Sequence, residues 1–282
     1  MRFPNDNIFI SILANKIIPK EESVVLNNAD SDIKELYYKT DKTNVLLYNL
    51  AQSILSNNEN RELSIISGSG YELTCSQDAY LNLLKKEIKS SLYFKYSSNN
   101  IASALLAIAS TMKCYTSSVY NGQTTGNDLL GLAAIKLVKN FGSVLLVISD
   151  YTKERDTLNA SVALITNNEN AHIKCELSKT IFLYKSFISI DESLVYEIWN
   201  YISSMVDIDS IWIIGLDAKN QWHETLISMG ASQKLQINII SIDKCAITTG
   251  FDIINNIHDK ICKILLIELE SQRLSIIGIK YN

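Results

Sequence analysis

YNGQTTGNDLLGLAAIKLVKNFGSVLLVISD, Tyr120 to Asp150, is the stretch around which the rest of the chain is organised. It has three parts. Asn121, Gly122 and the run Gln123-Thr124-Thr125-Gly126 form a tight polar turn. Asn127 to Asn140 reads as a helix that is apolar nearly all round, through Leu129, Leu130, Leu132, Ala133, Ala134, Ile135, Leu137 and Val138, and so is expected to be buried. Gly142 ends it, and Ser143 to Ile148 (SVLLVI) reads as a buried strand. A turn feeding the positive end of a buried helix is where many enzymes seat a nucleophile or bind an anion. Here the turn offers Gln and Thr, with neither Cys nor Ser.

The motif recurs. TTGND at 124 to 128 returns as TTGFD at 248 to 252, each preceded by a strand and followed by a helix and a second strand, SVLLVISD in one case and KILLIELE in the other. The match predicts a duplicated α/β unit, with halves at residues 1–178 and 179–282. Coincidence in a sequence of low diversity is the plainer alternative. Ahead of the central stretch, strands are expected at Asn7 to Leu13, Leu63 to Ser67 and Tyr115 to Tyr120. Helices are expected at Asp32 to Tyr38, Asn44 to Ser56, Ser76 to Ile88 and Asn99 to Ser110. Beyond it, the charged segment from Asp150 to Thr157 reads as exposed. Ala160 to Thr166 and His172 to Leu177 alternate like one hairpin with NNEN at its tip. The second half carries strands at Ser210 to Ile214, Leu235 to Ile242, Lys263 to Glu268 and Leu274 to Lys280. Its helices are expected at Leu194 to Met205, Trp222 to Ser228 and Phe251 to Ile261.

Composition narrows the function classes. The 282 residues are 47% hydrophobic and 20% charged, ordinary for a folded domain with a sizeable core. A net charge of -4 gives no electrostatic case for nucleic acid. No apolar run reaches the roughly 18 residues of a membrane span, and MRFPNDNIFISIL makes a poor signal sequence, so a cytoplasmic protein is expected. The five cysteines (75, 114, 175, 245, 262) have no CxxC spacing and read as reduced thiols. The three histidines (172, 223, 258) lie far apart in the chain and make no metal-ligand motif, so neither metal nor cofactor is expected. His223 beside Glu224 reads as a surface helix rather than an acid–base pair, and His172 as a solvated hairpin residue. Cys114 reads as a packing thiol, since it precedes its strand and lacks a helix N-terminus to lower its pKa.

Two similar strand–turn–buried helix–strand halves resemble the thiolase-like condensing enzymes. The N-terminal half resembles the elongating ketosynthases over residues about 60 to 165. SSLYFKYSSNNIASALLAIAS at 90 to 110 is similar to the segment in which a Ser-Pro-x-Phe-like start leads to an Asn and a small-residue helix. In active ketosynthases the central turn carries the nucleophilic Cys. In chain length factors, the inactive partner subunits of type II polyketide systems, Gln replaces it, followed by small residues, Gly and Asp. Gln123-Thr124-Thr125-Gly126-Asn127-Asp128 resembles that pattern, and Ser69-Gly70-Tyr71-Glu72-Leu73 resembles a Gly-Gly-Phe-Glu-Phe segment of chain length factors.

The resemblance implies a layered αβαβα fold of two similar halves, trimmed relative to full-length ketosynthases. It also implies loss of the chemistry. Active enzymes set two basic side chains opposite the thiolate to polarise the malonyl carbonyl. The positions nearest to these are Ile214 and Thr249, and neither is His. The family's terminal Gly-rich turn is replaced by Glu270, Ser271 and Gln272. Gln123 would be a neutral plug. Tyr71, Thr74 and Asp78 would line or gate the polyketide tunnel, or else merely connect a strand to a helix. Tyr115 and Tyr120 lie on an edge strand suited to pairing with a partner sheet. The implied partners are an active ketosynthase, in a heterodimer, and an acyl carrier protein bearing the malonyl unit or the growing chain. An inactive subunit of an aryl polyene or alkylquinolone system is a second implied reading. An independent acyl-thioester enzyme using Cys114 or a Ser is a third.

Overall fold

The computed structural model describes residues 8–37, 40–55, 63–69, 81–87, 101–111, 114–139, 142–152, 156–168, 175–186, 191–203, 208–216, 222–241, 246–257, 263–270 and 272–281. Its strands fall into two sets of five with the same plan. The first set is β1 (Ile8–Pro19), β2 (Leu63–Ser69), β3 (Tyr115–Val119), β4 (Ser143–Thr152) and β5 (Thr157–Thr166), ordered β3-β2-β4-β5-β1. The second is β6 (Cys175–Ser186), β7 (Ser210–Ile214), β8 (Gln236–Ile240), β9 (Lys263–Glu270) and β10 (Arg273–Lys280), ordered β8-β7-β9-β10-β6. In each set the second strand runs parallel to the third and fourth, and the fifth runs antiparallel to the fourth and first. The two sets meet where β1 and β6 pair antiparallel through Ile8–Leu177, Phe9–Glu176 and Ile10–Cys175.

The apolar runs of the parallel strands follow from burial on both faces. Along β4, Leu146 and Ile148 pack into one cluster while Leu145 and Val147 pack into another. Along β9, Ile264 and Leu266 face the first of these clusters, and Leu265, Ile267 and Leu269 face a third. Period-two alternation thus divides the core into three layers. Helices α1 (Ser31–Tyr37), α2 (Lys42–Leu55) and α3 (Ile101–Ala109) cover the outside of the first set. Helix α4 (Thr125–Lys139) lies between the two sets, α5 (Glu192–Ser203) and α6 (Trp222–Ser232) cover the outside of the second, and α7 (Thr249–Asn256) joins α4 in the middle. Aspartates cap three outer helices. The Ile33, Thr43 and Leu194 amides donate to the carboxylates of Asp30, Asp41 and Asp191 at 2.9, 3.0 and 3.0 Å. The result is the layered αβαβα arrangement of two similar halves, and the TTGND and TTGFD motifs open its two central helices.

Two local expectations are corrected. The expected hairpin of residues 160–166 with 172–177 is not formed by its described part, Cys175–Leu177: β5 is flanked by β1 and β4 and has no free edge, so β6 pairs with β1 and β10 instead. Residue 178 therefore lies inside β6, the first strand of the second set. The stretch after Asp150 is not all exposed, because β4 continues through Tyr151 to Thr152. The Tyr151 ring is buried, and its hydroxyl accepts from Lys20 Nζ and donates to Asp156 Oδ1, both at 2.8 Å.

Candidate functional site

The turn ahead of α4 is built by short-range hydrogen bonds. Gly122 to Thr124 form one turn of 3₁₀ helix, with Thr125 Oγ1 donating to the Gly122 carbonyl at 2.6 Å. Asp128 Oδ2 gathers Asn121 Nδ2 at 2.7 Å and Thr124 Oγ1 at 3.1 Å, locking the turn onto the first turn of the helix. Arg273 Nη1 donates to Asn121 Oδ1 at 3.2 Å from the other half of the chain. Gln123 is half-buried at the crest of the turn.

Carboxylates from β9 reach this turn. Glu270 Oε2 accepts the Gln123 backbone N–H at 3.1 Å, and Glu268 Oε2 accepts the Asn127 N–H at 2.8 Å. Glu268 is 1% exposed. Its Oε1 lies 2.7 Å from where a Cβ on Gly126 would stand and 2.8 Å from one on Gly250, so the carboxyl fits between α4 and α7 only because both helices open with glycine. The turn before α7 repeats the plan. Thr249 Oγ1 accepts the Ala246 N–H at 2.8 Å, as Thr125 Oγ1 accepts the Asn121 N–H at 3.1 Å. Asp150, at the equivalent point of β4, accepts the Ile247 N–H at 3.2 Å. Each half thus sends a carboxylate from its fourth strand to the turn of the other. Glu268 has no counterpart; the matching residue of β4 is Ile148.

Burial pushes the Glu268 carboxyl well up, against the pull of the Asn127 N–H, and the nearby Asp128 charge adds to the rise. Burial raises Asp128 despite its bonds from Asn121 and Thr124. It raises Glu270 despite the Gln123 N–H and the Arg273 charge. Asp252, on α7, is pushed up to about 6 by burial, against the hydrogen bond from Asn15 Nδ2 at 2.7 Å. An acid whose folded pKa exceeds its unfolded value of about 3.9 stabilises the fold below that value, and the contribution disappears as pH rises through the folded pKa. The chain is therefore expected to unfold at a higher temperature at pH 5 than at pH 8. Asp252→Asn should flatten the slope by about 1.4 kcal/mol between those limits. A melting temperature that climbs with pH over this range would contradict the assignment.

Ile214, 1% exposed at the end of β7, is the register partner of Glu268, which also touches the openings of α4 and α7. Thr249 is the first residue of α7. Tyr115 and Tyr120 are exposed at and just beyond the outer edge strand β3, and Lys136 Nζ sits 3.3 Å from the Tyr115 ring centroid. Tyr71, Thr74, Asp78 and His172 lie outside the described residues. His223 is on α6, across the second sheet from α4. Cys114 is partly buried, and burial pushes its thiol up, away from nucleophilic character. The residues the sequence reading gave no role at the site are Glu268, Arg273 and Asp150, and it named Glu270 only as a replacement of the family's Gly-rich turn. The signal of Glu268 was present in KILLIELE, where it interrupts an otherwise buried run. Among the described residues no group of three His, Cys, Asp or Glu is placed to hold a metal, and no helix is long and apolar enough to cross a membrane.

The fold is that of the thiolase-like ketosynthases. One chain of the AntDE:AntF structure, a type II polyketide synthase acyl-carrier protein in complex with its ketosynthase bound to the hexaketide, matches 99% of this chain over 100% of that chain, at 10% identity and a TM-score of 0.69. A β-ketoacyl synthase from Burkholderia phymatum matches 98% of this chain and 100% of its own, at 8% identity and a TM-score of 0.68. The ishigamide ketosynthase/chain length factor matches 94% of this chain and 88% of its own, at 12% identity and a TM-score of 0.61. No protein-family model matches the sequence, and no curated protein matches it significantly.

Proposed function

We propose that this chain is a non-catalytic partner subunit of a ketosynthase, of the chain-length-factor kind. The observation that carries the reading is chemical. The chain has a ketosynthase-like fold, in which Glu268 pairs in register with Ile214 at the end of β7 and lies against the openings of α4 and α7. Those positions supply Gln123, Ile214 and Thr249. None can form a thiolate or an imidazolium, so decarboxylative condensation would belong to the partner. An amide at Gln123 can donate and accept hydrogen bonds but cannot carry a thioester. The exposed edge of β3, with Tyr115 and Tyr120, supports pairing with that partner across a continuous sheet. This chain would then help bound the tunnel in which a poly-β-ketone grows on an acyl carrier protein, with Tyr71, Thr74 and Asp78 as its candidate lining.

The test is co-expression with an active ketosynthase and an acyl carrier protein. The two synthase chains are expected to co-purify, malonyl decarboxylation to require the ketosynthase cysteine, and changes at Tyr71 or Thr74 to alter product length more than rate. Robust turnover by this chain alone would overturn the reading, as would a stable monomer with no affinity for the ketosynthase.

A further inference from the structure

We propose that Glu270 is an internal ligand, an autoinhibitory carboxylate that occupies an anion seat at the Gln123 N–H, with the Arg273 guanidinium standing nearby over the same turn. The inference rests on the non-catalytic reading and deepens it: the old nucleophile turn is closed as well as disarmed. Three observations carry it. Glu270 Oε2 takes the Gln123 N–H at 3.1 Å, at the turn that opens a 15-residue buried helix. Arg273 is the register partner of Glu270 across the β9–β10 hairpin, and its charge acts on that carboxyl. The same arginine is held over the turn by Asn121 Oδ1 at 3.2 Å. The equivalent contact in the other half, Asp150 on the Ile247 N–H, has Asn159 at the register position where the first site has Arg273. Among the described residues, the register position beside the carboxylate therefore holds a cation at the Gln123 seat and a neutral amide at the Ile247 one.

A free N–H in the turn leading into a helix, with a guanidinium nearby, is a receptor for a small carboxylate. In the native chain that receptor is filled from within, so carboxylate-bearing acyl groups such as malonyl units are excluded from it. The groups facing Glu270 are Arg273 across the hairpin, Asp128 on α4 and the amide of Gln123.

Thermal unfolding of the full-length chain in acetate, against chloride at matched ionic strength and near-neutral pH, tests this. The native chain should respond equally to both salts. Glu270→Ala should melt lower in chloride and regain at least ~2 °C in about 100 mM acetate. Glu270→Gln, which keeps an acceptor and most of the volume, should show no acetate response. If Glu270→Ala is unfolded in chloride, refolding in acetate measured by circular dichroism supports the assignment, and failure to refold overturns it. An acetate-insensitive folded Glu270→Ala, or a native chain that gains as much from acetate, also overturns it. These outcomes are independent of malonyl turnover, which tests the non-catalytic reading by itself.

Discussion

Gln123→Cys is expected to leave the purified chain without condensing or decarboxylating activity, although it restores the nucleophile of an active ketosynthase. A helix N-terminus usually lowers a thiol pKa by stabilising the thiolate. Here the N–H of residue 123 is already engaged by Glu270, and the Glu268 carboxyl occupies the Asn127 N–H four residues on. A new sulfur would meet the same carboxylate, which disfavours its charge. General acid–base help, typically about 10²–10⁴-fold, is missing too, because Ile214 and Thr249 offer no imidazole. The introduced thiol should alkylate with a midpoint at or above the ordinary value of about 8.5. Adding Glu270→Gln should lower that midpoint. Carbon dioxide release from a malonyl thioester by Gln123→Cys alone, well above the native background, would show that the remaining scaffold is competent and would sink the non-catalytic reading.

Gly215→Ala is expected to be the most destabilising of the small substitutions near the site. Gly215 directly follows Ile214 and has φ +91°, a conformation that L-residues rarely adopt. Its N–H donates to the Ile240 carbonyl at 3.0 Å, so the backbone is tied in place. A Cβ would stand 2.1 Å from the Leu269 carbonyl oxygen, a backbone atom of β9 between Glu268 and Glu270. Neither side can move without breaking a central ladder. The combined strain and clash should cost about 4 kcal/mol, a large share of a typical net stability of about 5–15 kcal/mol. Urea unfolding measures the loss as a lower midpoint. An alanine variant with an unchanged midpoint would mean that the end of β7 does not pack against β9 in this way.

Several features of the site were legible in the chain itself. The all-round apolar character of residues 127 to 140 dictated a central helix, because a helix with no polar face has to be covered on all sides. Unbroken apolar runs such as SVLLVI and KILLIE dictated strands covered on both faces. The TTGND and TTGFD repeats marked two equivalent turns, and both open central helices. The absence of a thiol at the turn was also written in residue types, since a Gln cannot serve as a thiolate whatever surrounds it. Less was legible at the ends of elements. Residues 172 to 177 alternate like a hairpin partner, but alternation says only that a strand has two faces; which edge it pairs with depends on which edges are free. Tyr151 sits in a charged stretch, and only packing against the outer layer of the first set shows why it is buried.

The sequence by itself thus determined the layer plan, the two matching turns and the residue types they carry, all properties set by local periodicity and residue chemistry. Only the tertiary structure decided what reaches the first of those turns. Glu268 and Glu270 are more than 140 residues from the turn they cap: their bonds to Asn127 and Gln123 span separations of 141 and 147. Contacts of that range arise from the way the two five-stranded sets enclose two central helices, and no local pattern encodes them. A buried carboxylate is costly unless hydrogen-bonded, and the N–H groups it needs are supplied only when the halves come together.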